Sequence, residues 1–70
     1  MSKKLPDVVI IVRDEKNFEN IAKFEIIGSA SPCRKFLRVG APISDVVLCM
    51  VRNGFVNAQA ENAVIFFRPR

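Results

Sequence analysis

The sequence predicts a small α+β domain: a mainly antiparallel sheet of about four strands with one short basic helix and one buried helix. Three observations lead there. A β-branched run, Val8–Val12, lies near the start of the chain. Two segments with helix-capping signals occupy the middle. Two short strand-like runs, Val56–Glu61 and Ala63–Phe67, close the chain with a turn between them.

Val8–Val12 is preceded by Pro6-Asp7 and succeeded by the polar stretch Arg13–Asn17. A short β-branched run between turn formers reads as a strand buried on both faces. Asp14–Ile27 reads two ways. As a helix, Asp14 would cap it, Gly28 would end it, and Phe18, Ile21, Ala22 and Phe24 would share one side. As a strand, Ala22, Phe24 and Ile26 would point one way and Lys23 and Glu25 the other. The helical stripe weakens at Ile26 and Ile27. This favours a turn over Asp14–Asn20 and a strand over Ile21–Ile27, with a full helix as the alternative.

Gly28–Pro32 is a connector. Ser31 before Pro32 is a helix-start signature, and it predicts a short helix over Ser31–Val39. Cys33, Phe36 and Leu37 would form its apolar face, with Arg34, Lys35 and Arg38 outward and Gly40 as the stop. Ser44 is the cap of a second helix, Asp45 suits its positive end, and Asn53-Gly54 ends it. Val46–Val51 is apolar on every side, so this helix is expected to be buried all round. Val56–Glu61 then alternates small apolar with polar residues, Glu61-Asn62 turns the chain, and Pro69 ends the last strand.

Seventy residues make one domain, residues 1–70. A chain of this size buries only about 60% of its unfolded surface. Yet half of its residues are apolar, which favours a homodimer with a continuous core. A small domain also needs a staple. There is no His, and Cys33 and Cys49 form no C-x-x-C pair, so neither a metal nor a cofactor is expected. Their spacing allows a disulfide. The expectation, however, is two packed free thiols in a reducing, cytoplasmic compartment. Lys3 and Lys4 would suit a signal peptide, but Pro6 and Asp7 separate them from the apolar run. That run ends at Arg13, far short of the roughly 20 residues that span a bilayer. No membrane partner is expected.

The charge is unevenly placed. Lysines and arginines number 11 and acids 7, a net charge of +4. Residues 1–28 carry five of each sign, so residues 29–70 hold six bases against Asp45 and Glu61. A localised positive field favours anionic partners, nucleic acid first. Arg34, Lys35 and Arg38 would contact phosphates, doubled in a dimer, with Arg52, Arg68 and Arg70 assisting. Ser29, Ser31 and the helix start beside them could hold an anion, although an ordinary capped loop has the same composition. Solubility charge accounts equally well for the bases. Trp and Tyr are absent, so stacking on single-stranded bases is poorly supported. The two short helices have helix-turn-helix spacing in outline. Val46–Val51 offers no polar side chain to base edges, which excludes it as a recognition helix.

Catalysis is not expected. No nucleophile elbow or phosphate-binding loop occurs, and the usual neutral-pH base is absent. Cys33, beside Arg34 and Lys35, is the one nucleophile candidate, and it lacks a base to pair with. The sequence therefore points to a non-enzymatic regulatory or accessory protein, homodimeric, binding DNA or RNA through a basic face. The alternative is an interaction module, an inhibitor or adaptor, docking on a larger protein through a strand edge or apolar patch. Bases converging on one face of a dimer would favour the first reading. An apolar patch left open would favour the second.

Overall fold

β-branched residues decide the centre of the sheet. In the computed structural model, which describes residues 6–69, Asp7–Arg13 forms strand β1. Lys3, Lys4 and Arg70 lie outside the described residues. β1 pairs antiparallel with β2 (Ile21–Ile27) on one side and with β4 (Ala63–Arg68) on the other. β3 (Val56–Gln59) pairs antiparallel with β4, so the order is β2-β1-β4-β3. One helix, α1 (Ile43–Arg52), and a single 3₁₀ turn at Cys33–Phe36 complete the α+β fold.

The link from β1 to β2 is the expected turn. The Asp14 carboxylate accepts the Lys16 N–H at 2.9 Å, and the Asn17 side-chain carbonyl accepts the Glu19 N–H at 3.2 Å. Both bonds compete with helical hydrogen bonding, which is why the helical alternative fails here. The β3–β4 turn forms at Glu61-Asn62, closed by the Ala60 N–H to the Ala63 carbonyl at 2.9 Å.

The core lies between α1 and one face of the sheet. Val9, Ile11, Val64 and Phe66 of the sheet meet Val46 and Met50 of the helix, all buried to 1% exposure or less. Leu37, Ile43 and Phe55 seal its margins. Gly54, at φ +86°, reverses the chain after α1, and the Phe55 N–H returns to the Met50 carbonyl at 3.0 Å. This is the stop expected at Asn53-Gly54.

The end of the sheet is tied by a buried ion pair. Asp7 is fully buried and accepts two hydrogen bonds from the Arg68 guanidinium, at 2.8 and 3.0 Å. It also accepts the Ser29 N–H at 2.9 Å. Gly28 passes so close that a Cβ there would lie 2.5 Å from the Asp7 carboxylate, and its φ is +82°. Only glycine fits that position.

Four expectations need correction. β1 is buried on one face only: Val9 and Ile11 are fully buried, while Val8, Ile10 and Val12 are half-buried. α1 is not buried all round: Ile43, Val46 and Met50 face the core, but Leu48 is 64% and Val51 53% exposed. No described residue covers the outer side of α1, so an all-apolar helix ends up one-sided. The basic helix contracts to a 3₁₀ turn preceded by Pro32, without a side-chain cap from Ser31, and α1 likewise starts at Ile43 without a cap from Ser44. A helix of about nine residues is too short to persist on propensity; Cys33 and Leu37 are instead drawn into the core. Finally, Cys33 and Cys49 are joined in a disulfide, with Cα atoms 5.7 Å apart. They are not free thiols, and Cys33 is no nucleophile in this state.

Among the described residues, no helix is long and apolar enough to cross a membrane.

This packing sets two expected outcomes. Met50→Ala should lower stability by about 3 kcal/mol through cavity formation, while Leu48→Ala should change it by no more than about 0.5 kcal/mol. Denaturant melts of the two variants check the one-sided helix. The disulfide closes a sequence separation of 16 residues. Melts with and without reductant should differ by about 3 kcal/mol, the value for a loop of this length.

Candidate functional site

The feature that stands out is the second face of the sheet. Residues alternate between faces along a strand, and residues paired in register share a face. With Val9, Ile11, Val64 and Phe66 turned to the helix, the remaining positions form cross-strand rows on the other side. The first row is Ile27, Val8, Phe67 and Val56. The second is Glu25, Ile10, Ile65 and Ala58, and the third is Lys23, Val12 and Ala63. No helix or loop among the described residues packs over these rows. Ile27 is 46%, Val56 61% and Phe67 42% exposed.

These rows are apolar except for Lys23 and Glu25. Water is in contact with side chains that ordinarily sit in a core. The edge strand β3 adds to this exposure, since every residue from Val56 to Gln59 is exposed. Its small-residue side, Val56 and Ala58, belongs to these rows and stays open.

The sequence-predicted basic residues lie on the other layer. Arg34 and Lys35 stand exposed on the 3₁₀ turn, and Arg38 is exposed just after it. The disulfide holds that turn against the last turns of α1, which ends in Arg52. Phe36 and Arg52 line one shallow groove there, and the Lys35 ammonium sits 5.4 Å from the centre of the Phe36 ring. Among the described residues, none of Arg34, Lys35, Arg38 and Arg52 is in an ion pair. These bases thus share the helix layer and are available to an anion.

Other predicted site residues are occupied differently. Arg68 is bound by the buried Asp7 carboxylate, lies 4.3 Å over the Phe55 ring, and donates to the Asn53 carbonyl at 3.3 Å. It holds the fold together. Ser29 gives its N–H to Asp7, and its hydroxyl accepts the Ser31 N–H at 3.1 Å. These two bonds organise the connector. Arg70 lies outside the described residues.

A groove of about 500 Å³ opens between α1 and the β1–β2 turn, lined by Arg13, Glu19, Ile43, Ser44, Val47 and Leu48. Its arginine is already engaged: Arg13 donates to the Phe18 carbonyl at 3.0 Å and to the Gln59 side chain at 3.3 Å. Among the described residues, no cluster of three or more His, Cys, Asp or Glu could hold a metal ion.

Of the open-face residues, Val8, Ile10 and Val12 were read from sequence as part of a strand buried on both faces. A signal for their exposure was present: apolar residues occupy both alternation phases of β1 and β4, while among the described residues only one sustained helix is available to cover them. Comparison with protein-family models, with curated proteins and with solved structures found no match.

Proposed function

We propose that this chain is a small non-enzymatic interaction module that docks on a polypeptide through the open apolar face of its sheet. The observation that carries the reading is the set of cross-strand rows centred on Ile10 and Ile65, which no part of the described chain covers. Burying such rows against a partner releases about 25 cal/mol per Å² of apolar surface. The face offers a rigid hydrogen-bonded backbone and branched side chains with few rotamers, so little freedom is lost on binding.

A second reading rests on Arg34, Lys35, Arg38 and Arg52, which share the helix layer without ion-pair partners among the described residues. They suit phosphate contacts of nucleic acid, DNA or RNA, independent of the sheet face. The cytoplasmic compartment expected from sequence rested on the lack of a signal-peptide pattern, and two free thiols were expected to go with it. The Cys33–Cys49 disulfide supports an oxidising compartment instead.

Two measurements separate the readings. A photo-crosslinking residue placed at Ile65 should form adducts with polypeptide in the native host, well above the yield from the same residue at the exposed turn position Glu15. Equal yields from the two positions would remove the docking reading. A salt titration of oligonucleotide binding tests the other surface. The combined change Arg34→Ala, Lys35→Ala and Arg38→Ala should lower the slope of log affinity against log salt by about 0.7–0.9 for each phosphate no longer neutralised. If the unaltered protein binds no oligonucleotide at low salt, the nucleic-acid reading ends.

A further inference from the structure

We infer that the occupant of the open sheet face is a second copy of this chain, the two sheets packing face to face as a two-fold sandwich. This rests on the reading of that face as a docking surface and names its partner.

Charge placement supports a like partner. The chain as a whole carries +4, so two copies repel unless they meet on a neutral surface. The cross-strand rows are such a surface. Their only charged members are Lys23 and Glu25, one of each sign. Arg34, Lys35, Arg38 and Arg52 belong to the opposite layer, and face-to-face packing turns them outward, away from each other. A nucleic acid or a strongly acidic partner gains nothing from this face, because it has no net field to offer.

Shape and area agree. A layer of helix on a single sheet leaves one apolar face uncovered, and a second sheet is one of the standard ways of completing such a stack. The rows place Phe67 and Ile65 near the small residues Ala58 and Ala63, so large side chains of one copy can seat over small ones of the other. Four strands about 4.8 Å apart and about six residues long present roughly 400 Å² per copy before side-chain relief is counted. Two such faces, with relief, come to about the 1,000 Å² that a specific interface needs. The contact is isologous, so each apolar row is used twice.

The test places charge at the centre of the face. Ile65 is 36% exposed, so a charged side chain there can reach water in the single chain and the fold should persist. Sedimentation of the unaltered protein over a wide concentration range should show a species of twice 7.9 kDa that dissociates on dilution. Ile65→Lys and Ile65→Glu should each weaken self-association at least about a hundredfold, since like charges meet in an apolar contact. An equimolar mixture of the two variants should recover the double mass as a heterodimer. Circular dichroism checks the fold of each variant; should Ile65→Lys unfold, Val56→Lys and Val56→Glu, at a 61% exposed position, replace the pair. A species near 7.9 kDa at every concentration would overturn the inference. So would a dimer that neither charge weakens, or a mixture no more associated than its components. If the protein is monomeric while the crosslinker at Ile65 still captures another polypeptide, the docking reading stands and only the second copy is wrong. If it captures none, both fail.

Discussion

A sheet has two faces, and the described residues hold one sustained helix. That constraint governs the rest of the structure. A helix of ten residues spans about 15 Å. It packs on the inner face of the sheet, and β3 stays exposed along its whole length. Ile43, Val46 and Met50 take up that inner face. Everything else apolar must be arranged at the margins or left to the outside. The fully exposed β3, the outward Leu48 and Val51, and the rows around Ile10 and Ile65 are consequences of the same shortage of cover.

A thin core also explains the two cross-links between distant parts of the chain. Asp7 and Arg68 are 61 residues apart in sequence, and their pair ties the start of β1 to the end of β4. Arg68 extends the tie to Phe55 and Asn53, at the exit of α1. Such a pair is weak evidence of net stability, because the Asp7 carboxylate is fully desolvated and the Arg68 side chain, 25% exposed, is so in part. Its contribution here is positional: a buried carboxylate with two guanidinium bonds and a backbone N–H admits few alternative registers. The disulfide lies close to this tie: Asn53, whose carbonyl accepts from Arg68, donates its side-chain amide toward both sulfurs, at 3.7 and 3.8 Å. A 3₁₀ turn of four residues has little intrinsic stability. Pinned to α1 through Cys49, it becomes a fixed platform for Arg34 and Lys35. The roughly 3 kcal/mol from such a loop is a large share of the 5–15 kcal/mol typical of a whole domain.

Strands, turns and the helix exit were legible in the sequence, because each rests on local chemistry. β-branched residues marked β1, a helical stripe that fails at Ile26 and Ile27 marked the turn before β2, and Asn53-Gly54 marked the end of α1. The illegible features depend on neighbours far along the chain. Periodicity says which residues seek burial, but not whether the chain has anything to bury them with. Val8 and Ile10 read as core for that reason, and so did Leu48. Arg68 read as a surface base because nothing local announces a buried carboxylate 61 residues away. The two cysteines were 16 residues apart with no diagnostic spacing, and only the fold brings them together. The basic cluster was legible as composition. Its position on the layer away from the open face was not.

That separation changes how the two surfaces can work together. From sequence, a dimer was expected to double the basic cluster into one stronger phosphate-binding surface. A sheet-to-sheet dimer cannot do this. It sets the two helix layers on opposite outer sides, each with its own Arg34, Lys35, Arg38 and Arg52. A single nucleic-acid segment then meets the bases of one copy, and its salt dependence reflects that copy's contacts alone. Avidity arises only when one long molecule, or two separate ones, reach both outer sides, with an effective concentration set by that span. On the proposed readings, self-association and phosphate binding would therefore be separable. A change in one surface leaves the other's intrinsic affinity untouched, since the two are divided by a packed core and share no residue.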